Sequence, residues 1–361
     1  METVTRFVDR QSGSLSATST PGVEAARTLS ATASYLLSED GRKASLLSGG
    51  DGRAVQQITL QVPANRLHLV SVDRQGVARL KLRPRFEMDG AGIVRVDSLP
   101  MFDAPPTIGG NIRRAVDEIA SANGVTNKVT HFVYSHHHAD HGGAAWLFGG
   151  DVVRIGHEET RRLLLRDNDP TRPVPEETFA DRRTLKIGGE RIELEWRGPN
   201  HSPDNIYIHF PDHDTLMLID IVNPGWAPIS MSNLSEDIPG YIAAPAIALD
   251  YPWKHFIGGH VGRLGTRDDI ALHQQYMADI DASVRKALVS VDPTPFFQKY
   301  FDNPWAAVGA LFDAWTDAGA APVVEKYTGV LAAADVYTRS TVFWVMESIR
   351  LDLGFGSYVH P

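Results

Sequence analysis

The chain has 361 residues, 43% hydrophobic and 22% charged, a globular composition with room for one large domain or two modest ones. A formal net charge of −9 and an isoelectric point near 5.9 argue against a sequence-independent grip on nucleic acid, which needs clustered Lys and Arg to displace counterions. With no cysteine anywhere, disulfides, zinc–thiolate sites and a thiol nucleophile are excluded.

The N-terminus shows no basic segment running into an apolar core, and no stretch approaches the ~18–20 apolar residues that a bilayer span needs. A cytoplasmic protein without membrane association is therefore expected. Residues 1–50 read as an arm, with one amphipathic helix expected over Val23 to Leu37. Residues 54–98 read as consecutive strands: "AVQQITLQV", "RLHLVSV" and "VARLKLRPRF" alternate apolar with polar residues and are parted by turn signals. From about residue 107 strands alternate with helices: "TIGGNIRRAVDEIASA" is helical, "KVTHFVY" is a buried strand, and "GGAAWLF" opens another helix. After residue 265 the pattern is mostly helical, most clearly in "IALHQQYMADIDASVRKALVSV", "PWAAVGALFDAWTDAG" and "TVFWVMESIRLDL".

The chemistry concentrates in "YSHHHADHGG" at 134–143. An internal run broken by Ala139 and Asp140 is no tag. In extended chain alternate residues point the same way, so His136 and His138 can share one metal ion. Asp140 and His141 follow once the chain has turned and face a second position. Imidazole and carboxylate are the ligands that zinc, manganese and iron accept where thiolate is lacking. His137, between two ligand candidates, reads as a packing or supporting residue.

The motif resembles that of the metallo-β-lactamase superfamily of metal-dependent hydrolases, though not a true β-lactamase. Three further ligand positions occur in the chain order this resemblance requires: His201 in "GPNHSPDNIYIHFP", Asp220 in "TLMLIDIVNPGW" and His260 in "KHFIGGHVGRLG". It implies that His136, His138 and His201 bind a first metal, that Asp140, His141 and His260 bind a second, and that Asp220 bridges the two. The implied cofactors are two divalent ions, zinc foremost, with manganese or iron as alternatives. They would hold a hydroxide between them, with Asp140 orienting it and able to carry a proton. The implied fold is α/β: an αββα sandwich of two mixed sheets flanked by helices, with the strands of 54–98 opening the first sheet. The expected division is an N-terminal arm at 1–50, a catalytic domain at 51–265 and a C-terminal helical extension at 266–361.

The chain departs from the characterised branches. Zinc β-lactamases of the commonest subclass resemble it in "HSPDNIYI" but carry a Cys at the Asp220 position and, three residues on, a Lys for the substrate carboxylate. Acyl-homoserine lactonases usually place a Tyr at that second position. Here Asn223 fills it. The stiff loop "NPGWAP" makes Trp226 a candidate pocket wall, and the apolar stripes of the last helices make Trp305 and Trp315 candidates for roofing the cleft, unless those helices cover the sheet or a second subunit in a homodimer. An ester, lactone or amide of a small apolar or aromatic substrate is the expected reaction. The alternatives are a mononuclear-iron oxygenase of the same fold, a phosphodiesterase or a thioesterase.

Overall fold

The computed structural model describes residues 98–260, 262–352 and 354 and, ahead of these, the course of short strands between residues 5 and 96. The strands expected at 54–98 are present at Gln57–Gln61, His68–Val72 and Val77–Lys81. They pair within a separate six-stranded sheet, which corrects the expectation that they open the sandwich. Strands close in sequence pair here, as where His68–Val72 runs antiparallel to Val77–Lys81. The span Val23 to Leu37 contains strands at Arg27–Leu29 and Ser34–Leu37 where a helix was expected. Its Ser and Thr side chains compete for backbone groups and lower helix propensity.

The sandwich begins at β1 (Leu99–Phe102) and proceeds through α1 (Asn111–Ala122), β2 (Val129–Val133), the single turn α2 (Ala139–Gly142), β3 (Val153–His157), α3 (Glu158–Asp167) and β4 (Glu177–Phe179). These four strands form one sheet in chain order, and it is parallel throughout. Parallel neighbours need crossover connections, which the intervening helical segments supply. "GGAAWLF" forms a 3₁₀ turn at Ala145–Phe148 rather than a longer helix.

The second sheet comprises β5 (Arg182–Ile187), β6 (Glu190–Glu195), β7 (Tyr207–Phe210), β8 (Thr215–Met217) and β9 (His255–Ile257), also in chain order. It is antiparallel from β5 to β8, and β9 then runs parallel to β8. The β5–β6 hairpin closes on Gly188 and Gly189, whose φ of 62° and 84° give the left-handed backbone that a two-residue hairpin turn demands.

Among the described residues, three apolar clusters define the layers. Val133, Ile155 and Phe179 of the first sheet pack with Leu185, Ile192, Ile208 and Ile219 of the second. Phe132 and Val129 on the outer face of the first sheet pack with Ile112 of α1 and Leu164 of α3. Tyr207 and Leu216 on the outer face of the second sheet join a large helical core. That core is built by α4 (Ile238–Leu249), α5 (Arg267–Ser290), α7 (Pro304–Tyr327) and α8 (Ala334–Leu351), with the short α6 (Thr294–Lys299) before α7. Two sheets face to face with helices outside both make an αββα sandwich, the architecture expected from the motif. Among the described residues no helix is long and apolar enough to cross a membrane.

Candidate metal centre

Topology gathers the site at one edge. Because β1 and β2 are parallel, Asp103 and Ser135–His136 leave the first sheet side by side. In the second sheet β8 and β9 are parallel and β7 is antiparallel to β8, so the ends of β8 and β9 and the start of β7 share an edge. Asp220 and His260 follow those two ends and His201 precedes that start. Both Asp220 and His260 have left-handed backbone, with φ of 62° and 49°, a conformation that costs free energy and gathers at functional sites. The Gly142–Gly143 pair that closes the motif lets α2 seat closely: a Cβ on Gly143 would meet the Ala139 carbonyl and the Pro106 ring.

The structure brings all seven expected ligand residues together. His136, His138, His201 and Asp220 each offer a donor atom within 4.8 Å of one another, as do Asp140, His141, Asp220 and His260, so Asp220 belongs to both groups. In the first group the His201 Nε2 lies 3.0 Å from the His138 Nδ1 and 3.4 Å from the Asp220 Oδ2, with the His136 Nε2 at 3.7 Å from that oxygen. In the second, the Asp220 Oδ2 is 2.9 Å from the His141 Nε2, and its Oδ1 is 3.1 Å from the His260 Nε2. The exposed Asp140 carboxylate stands 3.5 Å from His141 and 3.6 Å from His260.

Charge and tautomer suit a cation. Ser135 donates both its N–H (2.9 Å) and its hydroxyl (2.6 Å) to the Asp103 carboxylate. Its Oγ, 2.9 Å from the His136 Nδ1, therefore accepts the ring proton there. This leaves the lone pair of His136 on Nε2, a buried atom with no hydrogen-bond partner that faces Asp220. Burial holds His136 well below the usual imidazole range and His201 down at about 4, so both are neutral donors. Burial alone would raise Asp220, but hydrogen bonds from His141 and His260 outweigh it and keep the carboxyl well below its ordinary range. Burial likewise opposes protonation of His141, yet without a metal Asp220 prevails and lifts it to about 9, so His141 carries a proton that a bound cation would displace. Donor separations of 3.0–3.7 Å bracket the ~3.3 Å edge of a tetrahedron with ~2.05 Å metal–ligand bonds. The residues present thus fit divalent metal ions.

Supporting residues surround the donors. His137 also lines the cleft and forms a third group of possible donors with His138 and Glu236, but its Nδ1 is paired with Asp204 at 2.9 Å. That carboxylate also accepts from Thr160 (2.7 Å) and Ser202 (2.8 Å), which makes His137 the supporting residue expected. Three others were not singled out in the sequence. Asp103 steadies Ser135, and burial pushes its own carboxyl up to about 6. Glu236 faces the His138 Nε2 at 3.6 Å, turning Nδ1 toward the metal positions. Asn233 donates to the Asp220 carbonyl at 3.0 Å. Asp103 carried a signal after all, an acidic residue directly following an apolar strand, as Asp220 does.

A cleft of about 470 Å³ opens over the donors, with Ile229, Asn233 and Leu234 on one wall and Asp167 and Arg172 on another. A smaller cavity of about 140 Å³ adjoins it, lined by Asn223, Trp226, Ala227, Ile229, His260 and Tyr337. Asn223 and Trp226 thus stand where a pocket was expected. Trp305 and Trp315 line neither space. Trp315 is buried in the helical core, and Trp305 is 85% exposed. The expectation that they roof the cleft is corrected: the helical stripe that carries Trp315 is spent on covering the second sheet.

No family model matches the chain. Over 140 residues it is 29% identical to the 2,4-dinitroanisole O-demethylase subunit alpha of Nocardioides sp. (strain JS1661), covering 38% of this chain and 42% of that protein. Over 65 residues it is 32% identical to the probable metallo-hydrolase YqjP of Bacillus subtilis (strain 168), covering 18% and 20%. The chain therefore spans less than half the length of these curated relatives. Among solved structures, a metallo-beta-lactamase from Pontibacter korlensis aligns with a TM-score of 0.42 at 17% identity, covering 70% of this chain and 97% of the other. The DIM-1 metallo-beta-lactamase aligns with a TM-score of 0.41 at 16% identity, covering 70% and 96%.

Proposed function

We propose that this chain, a protein of the metallo-β-lactamase fold, is a metal-dependent hydrolase that cleaves an ester, lactone or amide of a small, apolar or aromatic substrate. The observation that carries this reading is the pair of four-donor groups sharing Asp220. Such an arrangement would suit two divalent ions, with zinc the first choice for an all-imidazole and carboxylate set and manganese or iron the alternatives. Ions held there would supply a hydroxide nucleophile at neutral pH and polarise the substrate oxygen.

The chain's own residues do the rest. Asp220 stays ionised and joins the two donor groups. Asp140, exposed at the cleft and within 3.6 Å of both His141 and His260, is placed to orient the attacking water and to carry a proton to the leaving group. Ile229 and Leu234 form an apolar wall beside these charges, which limits water around the reacting bond. Asp103, Ser135 and Asn233 fix the ligands from behind, as outer partners of metal ligands do.

A second reading, cleavage of an activated aryl methyl ether, draws on the O-demethylase relative and on the indole of Trp226 beside His260. The test is a panel of lactones, aryl esters, thioesters, phosphodiesters, β-lactams and aryl methyl ethers with the zinc-loaded and manganese-loaded protein. Turnover of a lactone or aryl ester, abolished by a chelator and restored by metal, is the expected result. Oxygen uptake by the iron-loaded protein without hydrolysis of any member would overturn the reading in favour of an oxygenase.

A further inference from the structure

Beside the two donor groups that share Asp220 stands a third, made by His137, His138 and Glu236, each with a donor atom within 4.8 Å of the others. Their neighbours set how these side chains present themselves. Asp204 is fully buried, and burial alone would raise its carboxyl, but hydrogen bonds from His137, Thr160 and Ser202 hold it below its ordinary range. An ionised carboxylate only accepts, so the His137 Nδ1–H donates to Asp204 at 2.9 Å and the lone pair of the ring is left on Nε2. A carboxylate behind one imidazole nitrogen, with the lone pair on the other, is how histidines that bind metal are usually held. That ring lines the cleft. His138 turns its Nδ1 to His201, within the first donor group, and leaves its Nε2 3.6 Å from the exposed Glu236 carboxylate. The arginine that lines the same cleft, Arg172, is paired with Asp167 and Asp169, so its charge is offset there.

We propose that His137, His138 and Glu236 hold a further divalent ion at the rim of the cleft, apart from the two gathered by Asp220. Two imidazoles and one carboxylate favour zinc or copper over magnesium or calcium. The ion takes the place of the His138 Nε2 proton: the N–H bond breaks as the N–metal bond forms, and the proton passes to water. The His138 ring then links the rim ion to the first donor group. Three protein donors leave a further position for water or an anionic ligand. The rim site rests on the proposed two-ion centre only in that His138 serves both, and its test reads metal rather than turnover.

Protein already carrying two equivalents of zinc is titrated with more zinc, followed by calorimetry and equilibrium dialysis. A third ion should bind, more weakly than the first two, and magnesium should not compete for its place. His137→Asn keeps a side-chain N–H for Asp204 and removes the Nε2 donor. Glu236→Gln, at an exposed position, keeps an acceptor beside His138 and removes the charge. Each should weaken the third ion about tenfold or more, at least the loss that follows removal of an outer partner, and leave the first two equivalents in place. Asp220→Ala should do the reverse, because Asp220 belongs to both other groups and not to this one: the shared pair is weakened and the rim ion stays. Saturation of the wild type at two ions overturns the proposal. So does a third ion held as tightly by either folded variant as by the wild type, or the loss of every ion in Asp220→Ala. A rim ion that persists while no panel substrate is hydrolysed would sink the hydrolase reading and leave the site standing.

Discussion

Asn233 donates its side-chain amide to the backbone carbonyl of Asp220 at 3.0 Å, so the carboxylate shared by both donor groups is held from behind by a neighbouring turn. That turn is unusual. Met231, Ser232, Asn233 and Leu234 all have φ between 53° and 59°, a run of left-handed backbone that L-residues adopt singly at a cost of ~1–2 kcal/mol each. It is tied to the last helix, where the Met231 N–H meets the Ser340 hydroxyl at 3.2 Å and the Ser232 N–H meets that of Thr341 at 3.3 Å. The same turn presents Leu234 to the cleft. The C-terminal helix thus reaches the metal centre through this turn and not through a tryptophan roof.

Removing the clamp should loosen the metals. Asn233→Ala frees the Asp220 carbonyl, the Ile229 N–H and the Asn223 amide at once. Metal affinity is expected to fall about 10–100-fold, the usual effect of losing an outer partner of a ligand. Competitive titration against a chromogenic chelator measures this, and an unchanged affinity would show that the turn does not position Asp220.

Relieving the turn should stabilise the fold. Ser232 is fully buried, and its hydroxyl has no partner. Ser232→Gly removes the side chain at a position whose backbone glycine adopts freely. The expected gain is about 1 kcal/mol, read as a rise in melting temperature of about 2–4 °C. A fall would mean that the turn is not under the strain its dihedral angles indicate.

The two tryptophans of the helical layer should behave differently from each other. Trp315 is buried with Phe312 stacked at 5.7 Å and Arg350 over both rings, so Trp315→Ala should cost about 3–5 kcal/mol. Trp305→Ala, at an exposed position, should stay within ~0.5 kcal/mol. Neither should alter KM for bulky substrates. A selective rise in KM in Trp305→Ala would restore the roofing role that the structure denies it.

β-Lactams should be poor substrates. Asn223, uncharged in the wall of the small cavity, offers the carboxylate of a penicillin no charge-assisted bond. Penicillin hydrolysis with a kcat of about 10 s⁻¹ or more, the median for enzymes, would contradict this.

The grouped donor residues were legible in the sequence because metal chemistry restricts residue type and spacing together. His136 and His138 alternate in extended chain, Asp140 and His141 follow the bend, and His201, Asp220 and His260 each sit next to an apolar strand. The later helices were legible for a similar reason, as long stripes at helical spacing from Arg267 onward. The supporting residues were not. The role of Asn233 depends on a left-handed turn that no residue in "SMSNL" announces, since the run lacks glycine. Asp103 offered only an acidic residue after an apolar strand, and its pairing with Ser135 depends on β1 lying parallel to β2, which is invisible until the sheet forms. Periodicity marked Trp315 as apolar but could not say which surface it would cover, and the helical core claimed it. At Val23 to Leu37, apolar spacing suggested a helix, while short strands stand at Arg27–Leu29 and Ser34–Leu37.

The most direct test of the account is the metal content of purified protein, measured beside that of Asp220→Ala. Asp220 lies within reach of His136, His141, His201 and His260, so the wild type should carry close to two divalent ions per chain and the variant should bind both weakly and lose hydrolytic activity. Two tightly held ions and full activity in Asp220→Ala would contradict the shared-carboxylate centre on which the proposed function rests.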